Sequence, residues 1–218
     1  AIIYESLVWE GNLYVATSRD IFVQSGGRLH ALRGAEALHN SVVCGLVPYG
    51  KEGMLIATDL HGLYLYDGES IHRFYTEADS YITKNQLYNI ALSQNKMALG
   101  TVQGGVVLAD LDGKHCEYIT REEGLQNNTI LSLLFDSQQN LWMGLDNGID
   151  VVNTQNPVLF YRDAYVDYGS GYTSYEHNDK LYLGTNQGLY VQDSADRTLA
   201  FVEGSNGQVW KISQVGET

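Results

Sequence analysis

Proline and cysteine are the scarcest informative residues in this sequence, two of each in 218 residues. Cys44 and Cys116 stand 72 positions apart and fall in different parts of the repeats described below. A disulfide framework or a metal knuckle needs several cysteines at short, patterned spacing, so both thiols are read as free packing residues. No apolar run approaches the ~20 residues that a membrane-spanning helix requires. The opening Ala1-Ile2-Ile3-Tyr4-Glu5 also lacks the basic, apolar and small-residue regions of a leader, and the chain reads as mature or excised. Cations are few as well: 13 Lys and Arg against 26 Asp and Glu leave a formal charge of −13. Such a field repels a phosphate backbone and an anionic membrane surface, which excludes nucleic acid as a partner.

Catalytic and cofactor signatures are equally sparse. There is no Gly-x-Ser-x-Gly elbow and no His-Glu-x-x-His pair, so nucleophilic hydrolysis and zinc proteolysis have no positive signal. The histidines at 30, 39, 61, 72, 115 and 177 show no ligand spacing, and no cofactor is expected. Residues 45–52, GLVPYGKE, match the first seven positions of a phosphate-binding loop but end in glutamate where a magnesium-binding Ser or Thr belongs. Their place in the repeat is a strand-to-strand turn with no helix to follow, so they make no phosphate cradle. The run Asp110-x-Asp112-Gly113 opens like a calcium loop but lacks the later ligands, and a hairpin turn explains it. Asn127-Asn128-Thr129 is formally a glycosylation sequon, better explained by the repeat.

What the sequence does contain is 23 glycines, 16 tyrosines and a period. Aromatic rings suit pleated surfaces and glycine takes positive φ at little cost, so this composition points to sheets joined by tight turns. Five segments, at 13–23, 55–65, 97–108, 141–152 and 181–191, share an apolar-x-Gly/Ala-Thr core, a turn and a second apolar run. The marker positions Thr17, Thr58, Thr101, Leu145 and Thr185 follow one another in steps of 41, 43, 44 and 40 residues. A second clock agrees: Asn40, Asn85, Asn128 and Asn206 each open an apolar run upstream of a marker or at the chain's end. Each unit reads as four short antiparallel strands, with Asp67-Gly68 and Asp112-Gly113 as turns between the third and fourth.

A lone four-stranded sheet leaves both faces open, whereas radially stacked copies cover one another. The expected fold is therefore all-β, a β-propeller of four-stranded antiparallel blades. Its approximate repeats are 1–38, 39–83, 84–126, 127–168, 169–205 and a partial 206–218, whose first strand is Gln208–Ile212. Five units and the start of a sixth read as a propeller cut from a longer array rather than a ring of five. Antiparallel order places the loops between second and third strands on the same face as the loops leading into each first strand.

Residues 118–152, YITREEGLQNNTILSLLFDSQQNLWMGLDNGIDVV, resemble the two-component regulator propeller repeat, with Gly124, Leu125, Asn128, Asp136, Leu141, Trp142, Gly144 and Gly148 at its marked positions. The other units are more degenerate: the tryptophan becomes Tyr14, Ile56, Ala98 or Tyr182. The resemblance implies the extracytoplasmic, periplasmic sensor part of a hybrid regulator, which binds a glycan fragment and signals to a kinase elsewhere in the parent polypeptide. The partners so implied are an oligosaccharide and the remainder of that sensor kinase, with a homodimer left open. A protein-binding scaffold and, less in keeping with the motifs, a propeller lyase or hydrolase are the alternatives.

If a ligand binds, its contacts belong to the shared loop face. Arg19, His61, Gln103, Asp146 and Gln187 lie between second and third strands; Asn40, Tyr81, Lys84, Asn85, Asn127 and Tyr172 lie near the starts of first strands. Amides, carboxylates and aromatic rings are the groups that hold a sugar. The competing reading makes Asn40, Asn85 and Asn128 structural, each bonding its own turn backbone. Trp142 and Trp210, at strand positions, are expected in packing between blades.

Overall fold

In the computed structural model, residues 2–17, 20–38, 41–51, 53–155, 168–178, 180–193 and 199–214 are described. They gather into two compact units, residues 1–162 and 163–218.

The first unit opens with sheet 1, made of β1 (Ile3–Trp9), β2 (Asn12–Thr17), β3 (Ile21–Ser25) and β4 (Arg28–Ala31). Sheet 2 contains β5 (Val43–Tyr49), β6 (Gly53–Thr58), β7 (Gly62–Tyr66) and β8 (Ile71–Phe74). A short helix, α1 (Asp79–Lys84), leads to sheet 3, with β9 (Leu87–Leu92), β10 (Lys96–Thr101), β11 (Val106–Asp110) and β12 (Glu117–Ile119). Sheet 4 has three strands among the described residues, β13 (Ile130–Phe135), β14 (Asn140–Leu145) and β15 (Ile149–Asn153). The strand expected at 158–164 lies outside those residues. Every pair is antiparallel and each sheet runs in sequence order.

Inner strands lie side by side in the order β1, β5, β9, β13, so the four sheets stack about a common line. That is the blade arrangement of a propeller, and the chain is all-β as its period requires. Side-chain alternation explains the stacking. Along β6, Met54 and Ile56 join the cluster shared with sheet 1, through Tyr14, Ala16 and Ile21, while Leu55 and Ala57 join the cluster shared with Leu87, Met97 and Leu99 of sheet 3. Ala98 of β10 faces the opposite way, into a third cluster with Ile130, Leu141 and Met143 of sheet 4. A strand covered on both faces needs a continuous apolar run, and Met54-Leu55-Ile56-Ala57 is fully buried.

Small residues set the spacing between sheets. A Cβ on Gly100 would lie 2.7 Å from Ile130 Cγ2 and 3.2 Å from Leu133 Cδ1, and one on Gly45 would collide with Ile90 Cγ2. The hairpin turns fall where Asp-Gly pairs predict them, with Gly68 at φ +96° and Gly113 at φ +82°. Residues 45–51 are a strand and its turn, and the next described element is the strand β6 rather than a helix.

The second unit holds sheet 5: β16 (Gly171–His177), β17 (Lys180–Thr185), β18 (Leu189–Asp193) and β19 (Leu199–Phe201). Residues 208–212, where the first strand of a sixth unit is expected, form no ladder, and the segment from Gly207 is seated on this sheet. Val209 N–H donates to Thr185 O at 2.9 Å and Gly207 N–H to Gln187 O at 3.1 Å. A Cβ on Gly184 would meet Val209 Cγ1 at 2.7 Å, as one on Gly100 would meet Ile130. The segment thus has the seat of a leading strand but, among the described residues, no partner strand.

Candidate functional site

The recurring threonine has a local job. Thr101 is fully buried at the end of β10; its Oγ1 accepts from Gly104 N–H at 2.8 Å and donates to Gly105 O at 2.9 Å. Thr58 Oγ1 donates to Gly62 O at 2.7 Å, and Thr17 and Thr185 make the same kind of turn-closing bonds. These hydroxyls fix the turns between second and third strands.

The lead-in segments then bond to those turns. Gln103 N–H donates to Asn85 O at 3.2 Å and Val102 N–H to Gln86 O at 2.9 Å, which ties the end of α1 to the β10–β11 turn. Across to the next blade, Gly105 N–H donates to Asn128 O and Thr129 Oγ1 to Val102 O. Asp146 N–H continues the chain of bonds to Thr129 O at 3.2 Å. In sheet 2, Asp59 N–H donates to Val42 O, and Leu87 N–H of the next blade to Asp59 O. The loop face of the first unit is therefore one bonded strip running across sheets 2, 3 and 4.

Five of the residues selected from sequence meet on that strip. Tyr81 Oη donates to Gly104 O at 2.8 Å, its ring centroid lies 4.6 Å from that of Tyr118, and burial pushes its phenol above the ordinary value. Asn85 Nδ2 donates to Tyr81 O at 3.0 Å, and Gln103 and Asn127 follow along the same line to Asp146. Asn127 Oδ1 accepts from Thr129 N–H, and Asn128 Oδ1 from Arg121 N–H seven residues earlier, so both amides bond loop backbone. Gln103 and Asp146 keep exposed side chains. His61, on the turn of sheet 2, shares a 3.0 Å hydrogen bond with Ser41 Oγ through Nδ1. Lys84 is exposed at the last turn of α1.

In the second unit, Gln187 sits on the β17–β18 turn with its N–H on Thr185 Oγ1, and Tyr172 stacks on Trp210, centroids 4.1 Å apart and planes 9° from parallel. Arg19 and Asn40 lie outside the described residues. A separate open cleft of about 280 Å³, lined by Arg33, Gly34, Glu36, Glu69 and Ser70, contains none of the selected residues.

Neither tryptophan is buried between blades as expected. Trp142 is 44% exposed, and its Nε1 donates to Asp136 Oδ2 at 2.9 Å; with the amide donors of Asn140 and Gln138, this holds the Asp136 carboxyl at about 2. Trp210 is 63% exposed. Both cysteines are free, and burial, with smaller contributions from Asp59 and Glu5, pushes the Cys44 thiol up to about 12.

Sequence reasoning missed a feature of the inner strands. In each, one residue is unpaired opposite the end of the second strand: Tyr4, Cys44, Tyr88 and Leu131 in the first unit and Tyr172 in the second. These are β-bulges, and they lie at the loop-face end of every blade, directly beside the marker residue. Only the register of the ladder reveals them.

With this geometry in place, comparison with known proteins gives a consistent class. Residues 124–147 match the two component regulator propeller family. No curated protein sequence matches the chain. Among solved structures, the chain resembles the extracellular domain of the hybrid two component system BT4673 of B. thetaiotaomicron at TM-score 0.56 and 13% identity, covering 95% of this chain and 37% of that one. The extracellular domain of the hybrid two component system BT3049 of the same organism gives 0.53 and 16%, covering 97% and 31%. The computationally designed Ika8 protein gives 0.51 and 15%, covering 99% and 66%. The chain therefore spans about a third of the length of the two bacterial extracellular domains, and at these identities the likeness establishes the fold.

Proposed function

We propose that this chain is part of the sensor propeller of an extracytoplasmic signalling region and recognises a glycan fragment, acting by binding rather than catalysis. The observation that carries the reading is the two component regulator propeller repeat at 124–147, which supplies Asn127 and Asp146 to the strip of bonded loops. The likeness to extracellular domains of two component systems supports a periplasmic location and a sensor kinase as the rest of the parent polypeptide. Among the described residues no helix is long and apolar enough to cross a membrane.

The chemistry of the strip agrees with a polyhydroxylated ligand. Gln103 and Asp146 offer amide and carboxylate groups to solvent, Tyr118 offers ring surface backed by Tyr81, and the hydrogen-bonded turns beneath hold these groups in place. Preorganised groups bind more tightly because less freedom is lost on association. Isothermal calorimetry of the 218-residue chain against short neutral, uronic and sulfated oligosaccharides tests the reading. Saturable heat with at least one is expected; no heat from any of them overturns it.

A further inference from the structure

The bulges single out a set of side chains that the repeat motif does not mark. A bulge inserts one residue, breaks the ladder locally and re-aims the extra side chain; such insertions are common beside binding sites. Here the inserted residues occupy equivalent places on four neighbouring inner strands, β1, β5, β9 and β13. Three of the four are large and exposed: Tyr4 at 44%, Tyr88 at 44% and Leu131 at 41%. Cys44, between the two tyrosines, is small. Burying these side chains would have been favourable, and the fold leaves them open instead.

We propose that Tyr4 and Tyr88, on the inner strands either side of β5, are two stacking positions for one neutral oligosaccharide; this rests on the glycan reading above and says where and how its rings are held. Tyr172 displays the geometry such a position allows. It is the bulge residue of sheet 5, and its ring lies flat against that of Trp210. Among the described residues, the rings of Tyr4 and Tyr88 have no aromatic partner and their phenol hydroxyls no hydrogen bond. Each therefore presents an open face with an unused donor and acceptor at its edge, which matches a pyranose with an apolar face and hydroxyls around its rim.

Charge selects among sugars. Glu5 follows Tyr4 on β1 and Asp59 begins the β6–β7 turn, and the chain carries −13 overall. Asp59 Oδ1 accepts from Val42 N–H at 3.1 Å, two residues before Cys44, and Glu5 adjoins Tyr4, so both carboxylates belong to the strands that carry the site. A sulfated or uronic ring would meet repulsion there.

The test uses the whole chain, calorimetry, and short neutral, uronic and sulfated oligosaccharides as probes. A neutral probe is expected to bind. Tyr4→Ala and Tyr88→Ala should each weaken it by about 3- to 10-fold, the value of one aromatic stack. Tyr88→Phe should retain most of the affinity, and Tyr75→Ala, an exposed tyrosine beyond β8, all of it. Circular dichroism checks each fold. Should an alanine variant not fold, nitration of the wild-type chain replaces it: bound sugar should slow modification of Tyr4 and Tyr88 but not of Tyr75. Full affinity in both alanine variants, or unslowed nitration under saturating sugar, overturns the stacking site and leaves the glycan reading standing. Binding of sulfated or uronic probes alone overturns the claim of neutrality. No binding by any probe removes this inference and the glycan reading together.

Discussion

The threonine that keeps time along the sequence is retained for the turn that follows it. Thr101 Oγ1 bonds a backbone donor and a backbone acceptor of the same loop, at a position with no solvent to replace either. Valine has the same shape but no hydroxyl, so Thr101→Val leaves the buried Gly104 N–H without a partner. The expected cost is about 1–3 kcal/mol, read as a lower midpoint in urea unfolding at unchanged slope, with Thr101→Ser losing less. The fourth repeat already shows the alternative. Leu145 stands at the marker position, and its turn keeps only the backbone bond from Leu145 N–H to Gly148 O at 3.0 Å.

At the scale of strands and sheets, contact between blades depends on where a side chain is absent. Gly100 admits Ile130, and any Cβ there would lie 3.0 Å from Ile130 Cβ as well as 2.7 Å from its Cγ2. Gly100→Ala should therefore destabilise by about 1–3 kcal/mol through overpacking. Ile130→Ala opens a cavity by itself, but the double variant should lose less than the sum of the two, a coupling measurable by a thermodynamic cycle in urea. An additive result would mean that the two residues are not in contact. Such elements were legible to different degrees. The period, the sheets and the Asp-Gly turns could be read because each leaves a recurring residue type: Thr at the turn, an apolar run on a doubly covered strand, Gly at positive φ. The six residues of α1 are too few to show a helical periodicity against the surrounding strands. The bulges are invisible in the sequence because an extra residue shifts register without changing composition; Tyr172 stands out only by its nearness to a strand start, and Tyr4 and Tyr88 carry no such signal. Gln208–Ile212 has strand-like alternation, yet a strand exists only with a partner, and sequence alone does not supply one.

For the molecule as a whole, repetition makes stability local. In a stacked array each sheet contacts only its neighbours, so opening is graded along the stack rather than all-or-none. Within the first unit, sheets 2 and 3 are covered on both faces: Met54, Leu55, Ile56, Met97, Leu99, Val106 and Val107 are fully buried. The flanking sheets are more open, with Val8 71% exposed on β1 and Leu134 64% and Ile149 65% exposed on sheet 4. A β-strand loses protection when its sheet loses a neighbour, and the flanking sheets have the least buried area to lose. Hydrogen exchange followed by mass spectrometry should therefore rank the peptides. Those spanning β6–β7 and β10–β11 should exchange slowest, those spanning β1 and β13–β15 faster, and mild denaturant should widen the gap before the inner sheets open. Equal protection across all four sheets would mean that the unit opens in a single cooperative step. In that case the loop strip could not respond to a ligand by loosening at one end while its centre stayed folded. Graded protection would leave that route open, because the strip ends on sheet 4, a flanking sheet with less buried area to lose than sheets 2 and 3.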